Sequence, residues 1–442
     1  MSAKRFKSKI VRLTSGKASL RSVLVIPFVL QIFVAVGLTG YFSLRNGQRA
    51  VNEVASQLRY EISNRIQERL EDHSEIPHLI NQVNADAVRR GELKTEDLVS
   101  EHYLWQQIQF LDDVTWLYFG TETDGSFIGV TSTANGAIQS VVNDRTTNFY
   151  GHYHTLNNQG NRDNLAKINR EIYDARTRPW YQAAVEAGDA VWSDIYPSIG
   201  VPQLIVSAVL PVYDASGKLL GVTGVDFSLD DISQFLQSLE IGKSGQAFIM
   251  ESSGLLVASS TGEKPYRMSG EEQLRIEAID SKNPLTRETA QHITQTLALE
   301  SFDGHAQLDF TLQGKKQFVQ ITEFEDQQGI DWLIVVVVPE VDFMEQIHAN
   351  TRTTILLCLG ALIIAIALGV CTSRRITRPI LRLSEMSQAI AQRAHMRRSG
   401  ADLNLRVQTQ GIEEIETLAR SFNDMASQLQ SSFTALEKAT QN

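Results

Sequence analysis

Cysteine is nearly absent from this chain: two residues in 442, Cys358 and Cys371, both inside one apolar run. That excludes a disulfide framework or a cysteine metal site for the long segment before them, which has to be stable through its own core. Acidic residues are missing from the first 45 positions, which hold 8 Lys and Arg. Positions 46–352 reverse the balance, with 44 acidic residues against 23 basic ones, and positions 353–442 return to a basic excess of 10 against 7. The net charge of −10 therefore hides three segments suited to different surroundings. A phosphate loop is lacking as well: Gly242-Lys243-Ser244 has the end of one, but five positions before Gly242 stands Gln237. Thr261–Tyr266 has the form of a zinc-finger linker, yet no Cys/His set surrounds it, so it reads as a surface loop. His152 and His154 have no third ligand nearby and read as a solvated loop. No metal, cofactor or nucleic-acid partner is expected.

Charge is also missing from two apolar runs, Val23 to Leu44 over 22 residues and Thr354 to Cys371 over 18. A hydrocarbon core of roughly 30 Å takes about 20 helical residues, so each run can span it. Pro27 falls near the start of the first, where a lost N–H matters least. That run is longer than a signal-peptide core and no small-x-small site follows, so it reads as an uncleaved anchor. Lys and Arg crowd the residues before the first run, and Arg374, Arg375, Arg378 and Arg382 follow the second. Positive residues stay on the cytoplasmic side. The expected layout is a two-pass protein of the inner (plasma) membrane with both termini cytoplasmic: a basic N-terminus (1–22), transmembrane helices at 23–44 and 354–371, and an extracytoplasmic domain at 45–352. Two buried core helices, the alternative, leave the flanking charges unexplained.

Within 46–110, Val51, Val54, Leu58, Ile62, Ile66 and Leu70 recur every three or four residues, the period of a helix that continues the first span. From 114 the period changes. Val114–Phe119, the turn Thr123–Ser126 and Phe127–Thr131 read as strand, turn, strand, and Ala247–Met250, Glu251–Gly254 and Leu255–Ala258 repeat the pattern about 130 residues later. The echo predicts two tandem modules, about 75–235 and about 240–345. Further strands are expected at 203–212 and 221–227 in the first, joined by the turn Asp214–Gly217, and at 306–311, 316–323 and 332–338 in the second.

Between the two spans lies Tyr173-Asp174-Ala175-Arg176-Thr177-Arg178-Pro179-Trp180-Tyr181. Aromatic faces attract ammonium groups, and an arginine fork takes a carboxylate with two hydrogen bonds. Together they suit a small zwitterion. The long helix, the paired modules, the hairpin ending Gly221-Val222-Thr223-Gly224-Val225-Asp226 and this motif resemble the double Cache (dCache) sensor domains of bacterial receptors, over roughly 46–350. The resemblance implies two PAS-like modules on a long helix, with ligand in the membrane-distal one. One dCache subgroup binds amino acids and a related one biogenic amines; its signature is filled here by Tyr173, Arg178, Trp180, Tyr181, Tyr196 and Asp226. It implies that Tyr173, Arg178 and Trp180 hold the ligand carboxylate, and Tyr181, Tyr196 and Asp226 the ammonium. Each residue taken singly has a structural alternative: Trp180 and Tyr181 as core, Asp226 as a cap for a helix starting near Leu229.

After the second span, Ile376, Ile380, Leu383 and Ile390 follow a heptad, a connector contains Leu403, Leu405 and Val407, and a second heptad runs through Ile415, Leu418, Phe422, Met425, Leu429 and Leu436. With Pro379, the opening Gly411-Ile412-Glu413-Glu414 and Phe422-Asn423-x-Met425, residues 373–430 resemble a HAMP domain, which implies a homodimer with a parallel four-helix coiled coil. Residues 431–442 resemble the start of a signalling helix, and either an output module is expected to have followed or a separate protein to read the coiled coil, the first being favoured. The expected fold class is thus α+β: a long N-terminal helix, two tandem Cache modules, two transmembrane helices and a HAMP coiled coil. The expected function is a receptor without catalysis of its own, binding an amino acid or amine outside the membrane. Alternatives are the input half of a histidine kinase or nucleotide cyclase, a chemoreceptor, or a structural membrane protein with an empty pocket.

Overall fold

The computed structural model describes residues 20–95, 97–111, 114–133, 136–199, 203–270, 272–395, 406–408 and 412–440. The chain divides into two compact units, Arg49–Glu345 and a second made of Met1–Gln48 with Gln346–Asn442.

Helix α1 runs Leu20–Arg90, and α2, Leu98–Ile108, follows behind Asp97, whose side chain accepts from the Val99 N–H. In the larger unit α1 buries Val51, Ala55, Ile62, Ile66 and Leu70. Val54, read from the sequence as part of that stripe, is 55% exposed, because the buried face passes through Ala55 instead.

Strands β1 (Trp116–Thr121), β2 (Phe127–Ser132), β3 (Ile138–Asn143), β4 (Tyr150–Leu156) and β5 (Arg162–Ile172) come next. They are followed by helix α3 (Pro179–Ala187), the short β6 (Val191–Trp192) and β7 (Tyr196–Pro197), then β8 (Leu204–Tyr213) and β9 (Leu219–Ser228). The nine strands make one sheet in the order β5-β4-β3-β2-β1-β9-β8-β6, with β7 also on β8. The expected hairpin turn before β9 is held by Asp214, whose Oδ1 accepts from the N–H groups of Ser216 and Lys218, and by Gly217 at φ 83°. His152 and His154 lie on β4, paired on both sides, and not in a loop as the sequence suggested. No cluster of His, Cys, Asp and Glu fit for a metal occurs among the described residues.

Helix α4 (Leu229–Ser238) leads to β10 (Gln246–Glu251), β11 (Leu256–Ser259), the ribbon β12 (Tyr266–Ser269) and β13 (Glu272–Arg275), α5 (Pro284–Thr296), β14 (His305–Leu312), β15 (Lys315–Glu325) and β16 (Asp331–Pro339). The second sheet has the order β11-β10-β16-β15-β14. Strand alternation splits each sheet into two apolar faces. Leu117, Phe119, Ile128 and Val130 of the first sheet and Ile249, Ile334 and Val336 of the second belong to one core cluster that also holds Ile62, Ile66 and Leu70 of α1. The opposite face of the second sheet packs Phe248, Met250 and Val335 with Ala290 and Ile293 of α5. A direct joint ties the sheets: Trp192 on β6 donates its indole N–H to Asp326 Oδ2 at 2.6 Å, and its backbone N–H to the Gln328 carbonyl at 3.0 Å, in the β15–β16 turn.

In the second unit, the expected first span lies inside α1, where Leu30, Phe33, Leu38 and Phe42 are exposed. Helix α6 runs Val341–His395 and α7 Glu413–Thr440. Among the described residues one helix meets the length and composition of a membrane span, Arg352–Gln392, with mean hydropathy 2.8 and none of its apolar window buried. It contains the expected run 354–371, and its cysteines are unpaired. Leu383, Ile390, Val407, Ala419, Phe422 and Ala426 form a small core. Leu403, Leu405 and the packing of Leu436 lie outside what is described. Leu418 and Met425, expected in the heptad core, are half exposed, while Ala419 and Ala426 are buried. Asn423 clamps the connector: it accepts from the Val407 N–H and donates to the Val407 carbonyl, both at 2.9 Å.

Candidate ligand-binding site

The stretch 173–181 is shaped by local chemistry. Asp174 caps a 3₁₀ turn, Ala175–Thr177, by accepting from the Arg176 N–H. The same carboxylate grips the Arg176 guanidinium at 2.7 and 2.9 Å, so Arg176 closes the loop. Arg178 is extended (φ −86°, ψ 147°), as a residue before proline prefers, and Pro179 opens α3 at the position where a missing N–H costs nothing. Gly188 ends α3 in the left-handed region at φ 69°. Trp180, Tyr181 and Ala184 then face the sheet.

The sheet face toward α3 is the one opposite α1. Register sets Asp226 on β9 between Ser207 on β8 and Trp116 on β1, and sets Tyr118 across from Gly224. A Cβ on Gly224 would overlap the Tyr118 ring, so glycine there lets the tyrosine lie across its neighbour strand. Tyr118 donates to Asp226 Oδ1 at 2.6 Å, and Ser207 donates to the same oxygen at 2.6 Å. The Tyr196 hydroxyl reaches Ser207 Oγ at 2.7 Å. Burial pushes the Asp226 carboxyl up to about 7, with Ser207, Tyr118 and the charge of Arg178 pulling the other way. Burial also raises the Tyr118, Tyr196 and Tyr173 hydroxyls, which stay neutral donors.

These residues wall a cavity of about 50 Å³. Tyr173, Arg178, Trp180, Tyr196 and Asp226 all line it. The Arg178 guanidinium lies 5.8 Å from the Tyr173 ring centroid, and its side chain has no hydrogen bond or ion pair among the described residues. The Trp180 N–H donates to the Tyr173 hydroxyl at 3.3 Å. Tyr181 stands apart from the other five expected residues: it is not in the cavity wall, and its hydroxyl donates to Glu122 Oε2 at 2.8 Å. As the residue next to Trp180 on α3 it is turned about 100° away around the helix axis. Asp226 is not a helix cap either; Ser228 fills that role for α4, accepting from the Asp230 N–H.

Sequence reasoning missed Tyr118, Ser207, Trp116, Phe127 and Asn143, of which all but Ser207 line the cavity. Their signal was strand parity: Trp116 and Tyr118 alternate with the core residues Leu117 and Phe119. Which face of the strand meets the cavity depends on register, and no local pattern carries it.

Comparison with known proteins agrees with this fold. Residues 46–347 match the double Cache family (Cache domain), and residues 371–431 match the HAMP domain. The chain is 26% identical over 256 residues to the methyl-accepting chemotaxis protein McpC of Bacillus subtilis (strain 168), covering 58% of this chain and 33% of that protein. It is 25% identical over 273 residues to the methyl-accepting chemotaxis protein McpA of Pseudomonas putida (strain KT2440), covering 61% and 37%. The chain thus spans about a third of the length of these curated relatives. Among solved structures, the ligand-binding domain of the Pseudomonas aeruginosa PAO1 amino acid chemoreceptor PctC in complex with GABA is similar at TM-score 0.40 and 17% identity, covering 66% of this chain and 98% of that one. That of the Pseudomonas fluorescens chemoreceptor CtaA in complex with L-isoleucine is similar at TM-score 0.42 and 18% identity, covering 69% and 99%. With a Cache match over more than half its length and a HAMP match behind it, the chain belongs to the Cache-domain family of bacterial transmembrane receptors.

Proposed function

We propose that this protein senses an α-amino acid outside the membrane and passes the signal inward through its HAMP domain. The observation that carries the reading is a pair of opposite charges in one aromatic-walled cavity. Arg178 has no hydrogen-bonded or ion-paired carboxylate among the described residues, and Asp226 is buried with two hydroxyls on one oxygen. They make no ion pair with each other, so a molecule carrying both a carboxylate and an ammonium completes both. Tyr173 and Trp180 stand at the carboxylate end, and Tyr118 and Tyr196 at the ammonium end. Tyr181, tied to Glu122, supports the wall.

The receptor spans the inner membrane twice, through 23–44 and 354–371, with both termini cytoplasmic and residues 45–352 as two modules outside. The module of about 75–235, distal to the membrane, holds the ligand. Leu418, Met425 and Leu429 remain exposed on α7 of one chain, which supports a homodimer that covers them in a four-helix bundle. Bound ligand ties Arg178 before α3 to Asp226 on β9 and favours whichever domain state closes that gap; it shifts the equilibrium only by its differential affinity for the two states. The relatives named above are methyl-accepting chemotaxis proteins, which favours a chemoreceptor output over a kinase or cyclase.

The test is thermal unfolding of the full chain in detergent against a panel of amino acids, amines and small carboxylates. A binder at about 100 times its dissociation constant stabilises by about 2.7 kcal/mol. Arg178→Ala and Asp226→Ala should each remove the shift while keeping a cooperative transition. Stabilisation by amines but not amino acids, or no loss in Arg178→Ala, would sink the zwitterion reading.

A further inference from the structure

The charged ends of the cavity leave part of its wall without an assigned role. Asp226, Tyr118 and Trp116 come from β9 and β1, and Arg178, Tyr173 and Trp180 from the segment entering α3. Tyr196 and Ile205 add the β7–β8 side, and the remaining wall comes from β3, β4 and β5, with Asn143, Gly151 and Asn169 in it. Asn143 sits opposite Phe127 in the β2–β3 register, and the Phe127 ring is 5.1 Å from that of Tyr173. Gly151 leaves the space: a Cβ there would lie 3.2 Å from Asn143 Nδ2 and 3.4 Å from Asn169 Cβ.

Asn143 is only 4% exposed, yet its side-chain amide has no hydrogen bond among the described residues. Asn169 is different, since its Oδ1 already accepts from the Glu171 N–H at 3.3 Å. A carboxamide offers two donors and one acceptor with two lone pairs, and burying it without partners is unfavourable. Cavity water can serve it while the site is open. A ligand that displaces that water has to replace those bonds or bear the loss.

We propose that Asn143 reads the ligand's side chain, so that the pocket favours amino acids with a short hydrogen-bonding side chain over aliphatic ones of the same size. This rests on the amino-acid reading of the Arg178–Asp226 cavity and adds the third contact to it. A site with a buried polar group discriminates strongly against an analogue that leaves it unpaired, whereas an apolar pocket tolerates an added hydroxyl.

The experiment is calorimetry on the full chain in detergent with two isosteric pairs, threonine with valine and asparagine with leucine. At least one polar member should bind about ten-fold tighter than its partner in the wild type. Asn143→Val should weaken that polar member alone and bring the ratio near one; Asn143→Ser, which keeps a hydroxyl, should retain part of the preference. Equal or reversed affinities in the wild type overturn the proposal, and that arm needs no variant to fold. Equal weakening of both members in Asn143→Val also overturns it, because Asn143 would then serve the shared carboxylate end. If no amino acid binds the wild type at all, the zwitterion reading itself has failed, an outcome distinct from binding without polar preference.

Discussion

Asp226 is the residue on which pH acts. Its carboxyl is raised to about 7 in the folded domain, against about 4 in an unfolded chain. A carboxyl raised by folding contributes stability that is complete below about pH 4 and is lost as pH climbs through 7. The ligand needs the opposite form, because an ammonium pairs with the anion. Affinity for an amino acid should therefore rise between pH 5 and 7, up to about ten-fold per pH unit, and level off above. Calorimetry near pH 6 in buffers of different ionisation enthalpy should show a proton released on binding. Asp226→Asn keeps an oxygen for Tyr118 and Ser207 and removes the charge. Without ligand it should unfold at higher denaturant than the wild type at pH 8 and show little advantage at pH 4. An equal shift at both values would mean that the charge is not what burial opposes.

Strand pairing decides what a residue can reach. Gly224 is legible in the sequence only as part of the hairpin that ends in Asp226. The pairing with β1 shows why it is glycine: Tyr118 lies across it to reach the carboxylate. Gly224→Ala should push the ring off, cost about 1–3 kcal/mol by overpacking, and weaken ligand binding in the same variant. Urea unfolding and a binding isotherm together check this, and an unchanged isotherm would show that Tyr118 is not needed at the ammonium end. A second device joins elements far apart in the chain. Asp326 accepts from the Trp192 indole and from the backbone N–H groups of Gln328 and Ile330, so one carboxylate shapes the β15–β16 turn and fixes it to β6. Asp326→Ala should destabilise the domain by about 2–3 kcal/mol, more than a surface change, because bonds to a charged acceptor are lost together. Denaturant titration followed by far-UV circular dichroism measures it, and a loss within about 0.5 kcal/mol would make the joint incidental.

Scarcity and patterning organise the whole molecule. Acid-free and acid-rich segments alternate with charge-free runs, and that order is what the proposed two-pass layout rests on. On α7, Leu418, Met425 and Leu429 are apolar and exposed, while Ala419, Phe422 and Ala426 pack within the chain. If a partner chain covers the exposed set, Leu418→Glu should abolish cross-linking between cysteines placed on α7 and leave ligand-linked unfolding of the sensor unchanged. Persistent cross-linking would show that dimers form elsewhere.

Local chemistry determined much of this protein by itself. The two charge-free runs, the helical spacing from Val51 to Leu70, the β-branched and aromatic runs of β1, β2, β8 and β9, and the turns at Gly125 and Gly217 depend on neighbours a few residues apart. Side-chain identity and period suffice to read them. The chemistry of the 173–181 stretch was legible for the same reason. Tertiary structure decided what joins it. Tyr118 and Asn143 meet the cavity, and Ser207 meets Asp226, through strand pairings that reach from Trp116 to Asp226, and a slip of one residue would have turned each of them to the other face. Tyr181 shows the converse: adjacent to Trp180 and alike in chemistry, it is carried by the helix turn to Glu122 and out of the cavity. Sequence set the kinds of group available at the site, and long-range register set which of them converge on one cavity.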